Sequence, residues 1–183
     1  MAVTVTPAEF TFVQFDAGVI RAAVEELLDR LGMADRDLQL EVDESSPIAR
    51  VQVEPGDPLV VVAESGAFED TRKPRQLSAL AVATACGRML LRLRDREAGF
   101  SDAPGDDALT LPQVAAWDAY SIGRLGRMGY EVNRQRWLYN FRNRHGFTDA
   151  GDRTFEALWT ADDLTWAELS AASDAAMAAR QSA

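Results

Sequence analysis

A single imidazole, His145, and a single thiol, Cys86, are all that these 183 residues offer to the commonest nucleophilic and metal chemistries. A Ser-His-Asp or Cys-His arrangement needs an imidazole within hydrogen-bond reach of its nucleophile, so His145 would have to be the base of any such site. Beside Gly146 it suits the C-terminus of a helix equally well. A structural zinc takes about four Cys or His ligands, and catalytic zinc sites usually draw two or more from the same pair. This chain cannot supply them. It also has no GxxxxGK[ST] loop and no GxGxxG turn to cradle a phosphate. Carboxylates are plentiful, with 29 Asp and Glu, which leaves a magnesium site or an acid/base pair open. One loop gathers such groups at the end of an apolar run: Glu64, Glu69, Asp70, Arg72 and Lys73 could hold an acid/base pair or a divalent ion at a strand's carboxyl end. No catalytic residue, metal or cofactor is assigned on this basis.

The sharpest change in composition lies between Ser121 and Phe147. Arg124, Arg127, Arg134, Arg136, Arg142 and Arg144 stand there against one acid, Glu131, giving about +5 in a chain of net charge -10 and about -15 elsewhere. Tyr120, Tyr130, Trp137, Tyr139, Phe141 and Phe147 accompany them. On a helix, Tyr130, Trp137, Leu138 and Phe141 gather on one side, and Asn133, Arg136, Asn140 and Asn143 form a stripe on another. Trp, Tyr and Arg are the residues enriched at interface hot spots, while Lys is depleted there. Lys73 is the only lysine. The candidate binding set is therefore Arg124, Arg127, Arg134, Arg136, Trp137, Asn140, Arg142 and Arg144, and the expected activity is association with a protein partner or with another copy of the chain, without enzymatic chemistry. A second reading is nucleic-acid contact through a loosely helix-turn-helix-like segment at 117–145, with Gly126 or Gly129 in the turn, although the net charge opposes it. A third is a carboxylate-based hydrolase or ligand site at 64–73. Against all three, aromatics can fill a core and arginines can pair with the chain's own acids.

The elements that must position these residues follow from periodicity. Asp16 can cap a helix in which Ile20, Ala23, Val24, Leu27, Leu28 and Leu31 share a face, and Gly32 ends it. Leu38, Leu40 and Val42 alternate with polar residues, as do Val51 and Val53, and both runs read as half-buried strands. Leu59 to Ala63 is apolar throughout and follows the Pro55-Gly56-Asp57-Pro58 turn, which suits a strand covered on both faces. Glu64 to Pro74 reads as a charged loop, and Arg75 to Glu97 as a long, Ala-rich central helix carrying Arg88, Arg92, Arg94 and Arg96 toward its end. Cys86 falls among apolar residues of that helix and is expected to be a buried, inert thiol. Further helices are expected at about Pro112 to Met128, Glu131 to His145, Arg153 to Trp159 and Trp166 to Arg180, with Gly146 as a C-cap and Thr165 with Glu168 as a capping box. The expected class is α+β: an N-terminal amphipathic helix, a small three-stranded and mainly antiparallel sheet, a long apolar helix and a C-terminal all-helical portion. One domain, 1–183, is expected, and the loop at 99–110 is the candidate internal boundary between 1–98 and 111–183.

The order helix, strands, helix in the first half resembles that of small zincin-type metallopeptidases, whose second helix carries H-E-x-x-H. At the corresponding place this chain reads Ala85-Cys86-Gly87-Arg88-Met89-Leu90, with no ligand and no general base. The resemblance is of element order, and it implies a degenerate, zincin-like fold without metal ligands or peptidase activity. The start, MAVTVTPAEFTFVQF, lacks a basic segment followed by an apolar one, and no run of about 18 apolar residues occurs. A cytoplasmic protein without membrane contact is the expectation.

Overall fold

The computed structural model describes residues 2–181, which divide into two compact units, Met1–Leu93 and Arg94–Ala183. The chain is α+β, as its periodicities imply. In the first unit the strands β1 (Val3–Thr6), β2 (Leu38–Asp43), β3 (Val51–Glu54) and β4 (Leu59–Glu64) form one sheet in the order β1-β2-β4-β3. The β1, β2 and β4 strands run parallel and only β3 is antiparallel, so the expected three-stranded, mainly antiparallel sheet is corrected to a four-stranded mixed one.

Two causes account for the difference. Strand β1 has only two inward positions, Val3 and Val5, before Pro7, too few for an alternation to stand out. Its partner lies far along the chain, Val3 opposite Leu38, and parallel pairing leaves no hairpin signal between them. The register nonetheless aligns the buried side chains into rows, Val3-Leu38-Leu59 and Val5-Leu40-Val61, with Val51 opposite Ala63 at the other rim. Strand β4 is buried at Leu59, Val61 and Ala63 but only half-buried at Val60, Val62 and Glu64, so its second face is partly covered.

Between β1 and β2 runs α1 (Ala17–Arg30), where the Asp16 carboxylate accepts from the Val19 N–H at 3.0 Å and Ile20, Val24, Leu27 and Leu28 are buried. The chain leaves it at Gly32, in the left-handed region at φ 67°. The segment expected as a loop and a helix start is instead a short hairpin, β5 (Glu69–Asp70) with β6 (Lys73–Leu77). Arg75 within it adopts φ 63°, and its carbonyl accepts from Gln14 at 2.7 Å. The long helix α2 (Ala79–Ala98) therefore begins after this hairpin rather than at Arg75, with Ser78 Oγ accepting from the Ala81 N–H at 3.2 Å. Cys86 in α2 is buried, and burial pushes its thiol up to about 12.

The second unit consists of the last turn of α2 and four helices: α3 (Leu111–Arg127), α4 (Arg134–His145), α5 (Asp149–Thr160) and α6 (Trp166–Gln181). Each has a polar cap. Thr110 and Gln113 form a capping box at α3, Thr148 accepts from Gly151 at α5, and Thr165 with Glu168 does for α6 what its spacing predicted. Phe100, Trp117, Tyr120, Phe141, Phe155, Leu158 and Leu169 make up the centre of its core. Helix α3 lies so close to α5 that a Cβ on Gly123 would stand 2.1 Å from the Trp159 carbonyl oxygen, so only glycine fits there. Among the described residues no helix is long and apolar enough to cross a membrane.

Candidate functional site

Four of the six arginines in the cationic segment are engaged within the second unit. Arg124, one turn after Tyr120 on α3, points inward: its two terminal nitrogens donate to the two Asp95 oxygens at 2.7 Å each, and its guanidinium lies 3.9 Å from the Tyr120 ring centroid. Asp95 also accepts from the Trp117 indole N–H at 2.7 Å, so one buried carboxylate from α2 holds two side chains of α3. Sequence reasoning missed Asp95. Its only signal was an acid set among Arg88, Arg92, Arg94 and Arg96.

Arg127 spans the end of α5, donating to the carbonyls of Trp159 and Ala161 and to Asp162 at 2.7 Å, where a cation meets the negative end of the helix. Arg134 pairs with Glu156 and its guanidinium stands 5.4 Å from the Phe155 ring. Arg142 binds Asp152 in two places, Nε at 2.8 Å and the terminal nitrogen at 2.5 Å. That pairing holds the Asp152 carboxyl below its usual range and raises Arg142. The candidate set thus separates: Arg124, Arg127, Arg134 and Arg142 tie helices together, Trp137 packs on the core, and Asn140 is half-buried.

What remains open to solvent is one face of α4. Arg136, Tyr139, Asn143 and Arg144 are exposed there, and neither Arg136 nor Arg144 has a partner for its guanidinium among the described residues. Gly146 ends α4 at φ 96° and redirects the chain so that Phe147 returns to this face, its ring 5.8 Å from Tyr139 in an edge-to-face arrangement. Both rings are largely solvated, Tyr139 at 57% and Phe147 at 63%. The Arg142 guanidinium flanks them, 5.8 Å from the Phe147 ring. Tyr139 and Phe147 were absent from the sequence-derived binding set, and the glycine preceding Phe147 was the sign that the chain turns back.

His145 lies on the inner side of the same helix, fully buried and stacked on Phe141 at 3.8 Å. Nδ1 is 3.2 Å from the Phe141 carbonyl, which can only accept, so that nitrogen carries the proton and Nε2 accepts from Ser173 Oγ at 2.9 Å. Desolvation lowers its pKa, against smaller raising effects of the Phe141 carbonyl and the Asp174 charge. Sealed from solvent with its Ser173 partner, it is a structural histidine, not an accessible base. In the connection 128–133 between α3 and α4, Gly129 takes φ 95° while Gly126 stays inside α3. That connection is longer than the turn of about three or four residues in a helix-turn-helix.

In the first unit, Glu64 accepts from Ser46 Oγ at 2.5 Å and lies 3.6 Å from Arg50, and Asp70 accepts from the Arg72 N–H at 2.8 Å. Glu69 and Lys73 sit on the two strands of the β5–β6 hairpin. Glu64 thus ends β4, while Glu69, Asp70, Arg72 and Lys73 share the β5–β6 hairpin, where Asp70 lies opposite Lys73. None of them lines the shallow recess formed by Thr6, Pro7, Glu41, Val42, Asp43 and Val62. Among the described residues no group of three or more His, Cys, Asp or Glu is placed to hold a metal ion. No protein-family model, curated protein or solved structure matches the chain.

Proposed function

We propose that this protein is an association module, acting without chemistry of its own, that binds another protein or another copy of itself through the outward face of α4. The observation that carries this reading is the solvated Tyr139–Phe147 ring pair, flanked by the unpaired guanidiniums of Arg136 and Arg144. Two large rings left in water at adjoining positions gain free energy when a partner covers them, about 25 cal/mol for each Å² of apolar surface removed. Aromatic and arginine side chains are the types that dominate such contacts. The four arginines committed internally give the face a rigid base.

The test compares the full chain with a Tyr139→Ser/Phe147→Ser double variant in native purification at low and at moderate salt, with mass spectrometry and ultraviolet absorbance of what is retained. Proteins or further copies of the chain held by the parent at both salts and lost by the variant are the expected result. Equal retention by both chains would overturn the assignment of this face. Retention of nucleic acid that falls steeply with salt would overturn the protein reading in favour of polyanion binding.

A further inference from the structure

The outward side of α4 is divided lengthwise. Arg136, Asn140 and Arg144 recur every fourth residue along one row, while the Tyr139–Phe147 ring pair lies to the other side. At about 100° per residue, Tyr139 and Arg144 fall on opposite flanks of Arg136. The helix itself, RQRWLYNFRNRH, contains no acid; Glu131 before it and Asp149 after it belong to its connections. The face therefore sets two guanidiniums without a partner among the described residues beside an uncovered apolar surface. We infer that its partner is an acidic, amphipathic peptide segment of another protein, lying along α4 with carboxylates over Arg136 and Arg144 and apolar side chains over Tyr139 and Phe147. This names the partner class for the association reading above and rests on that reading.

Charge complementarity selects this occupant. Arg136 and Arg144 are eight residues apart, about 12 Å along the axis at 1.5 Å per residue. That separation exceeds the screening length of about 8 Å at physiological salt, so each cation takes a carboxylate of its own. A guanidinium is a planar fork of donors that matches a carboxylate in two hydrogen bonds, the contact Arg124 makes with Asp95 inside the same unit. A basic segment would be repelled by both arginines, and a purely apolar one would strip their water without replacing its hydrogen bonds. A nucleic acid fits less well on three counts. A typical site for one neutralises roughly 6–10 phosphates, far more than this face can. Base stacking needs open ring faces, whereas the ring pair, with 68° between its planes, turns the edge of one ring toward the other. Repulsion from the chain's charge of -10 also grows with the partner's charge, so it weighs more on a polyanion than on a segment with a few carboxylates.

Selection from a library of displayed short random peptides on the full chain tests the class, with Arg136→Glu/Arg144→Glu and Tyr139→Ser/Phe147→Ser as counter-targets of unchanged unfolding midpoint. Arg136→Gln/Arg144→Gln replaces the charge reversal if that disturbs the fold. Peptides combining Asp or Glu with aromatic or aliphatic residues should be enriched on the parent and lost on both variants. For the most enriched one, resynthesised with a fluorescent label, each double variant should raise the dissociation constant about tenfold, and added salt should weaken binding without abolishing it. Enrichment with no excess of acids, or indifferent to the charge reversal, overturns the acidic class. If such peptides are still lost on the ring variant, the association reading stands; if they ignore both variants, it falls as well. No enrichment at all overturns the inference, while retention of whole proteins in native purification separately decides association. Tighter binding of an oligothymidylate of equal charge than of the selected peptide overturns the peptide in favour of a polyanion.

Discussion

Asp95 and Arg124 meet fork to fork, each terminal guanidinium nitrogen 2.7 Å from one carboxylate oxygen, with side-chain exposures of only 7% and 8%. Removing one partner leaves the other charge buried without compensation, which costs about 3–5 kcal/mol. Asp95→Ala should therefore lower the urea midpoint of unfolding sharply, the more so because the Trp117 indole N–H loses its acceptor as well. Asp95→Leu with Arg124→Leu together should cost much less than either alone, since no orphaned charge remains. Equal and additive losses in the double-mutant cycle would remove the pair from its central position.

Burial lowers the pKa of His145 below its ordinary 6.5, so the folded state binds less proton there than the unfolded state does. Its contribution is fully present above that ordinary value and is lost as pH falls through it. Unfolding midpoints measured at about pH 7.5 and about pH 5.5 should differ more for the parent than for His145→Asn. The carboxylates with lowered values, Asp152 and Glu168 among them, weaken the fold only at more acidic pH, through their own ordinary range near 4. An identical pH dependence in the two chains would show that His145 does not titrate on unfolding in this window.

Gly123→Ala places a methyl group where the Trp159 carbonyl oxygen already stands, and that oxygen belongs to a helix backbone that cannot swing aside. A loss of about 1–3 kcal/mol is expected from the forced separation of α3 and α5. Gly105→Ala, with nothing within 4 Å, serves as the control and should change stability little. Equal thermal unfolding midpoints for the two variants would show that the Gly123–Trp159 contact places no constraint on the fold.

Arg142 and Asp152 are closely paired but partly solvated, at 26% and 40%. Arg142→Ala should accordingly lower the unfolding midpoint only slightly, and less at high salt. By contrast, Arg136→Ala should leave the unfolding midpoint unchanged and act only on association, because its guanidinium has no partner among the described residues. A destabilised Arg136→Ala chain would mean that this side chain has structural work to do.

The helices were legible because their cues are local. Asp16 before an apolar stripe, Thr165 three residues before Glu168, and Gly146 after a basic last turn all act within one or two turns of the chain. The sheet was only partly legible because β1 finds its partner more than thirty residues away, and because β5 and β6 are built from Glu69, Asp70, Lys73 and Arg75 rather than from alternating apolar residues. The arginine segment shows the same division. Its charge and aromatic content are visible in composition, but which guanidiniums are consumed depends on Asp95, Glu156, Asp152 and Asp162, acids supplied by other helices and their connections. Four positions of the sequence-derived set thereby became struts, and the face left open centres on two rings that charge counting does not weigh.

Because β1 is laid down parallel to β2, with Val3 opposite Leu38 and Thr6 opposite Glu41, this pairing cannot form until the whole α1 excursion has been made. Removing Val3–Thr6 would uncover the flank of Leu38–Asp43 and leave the longer β2 as an open edge, a template for stray strands.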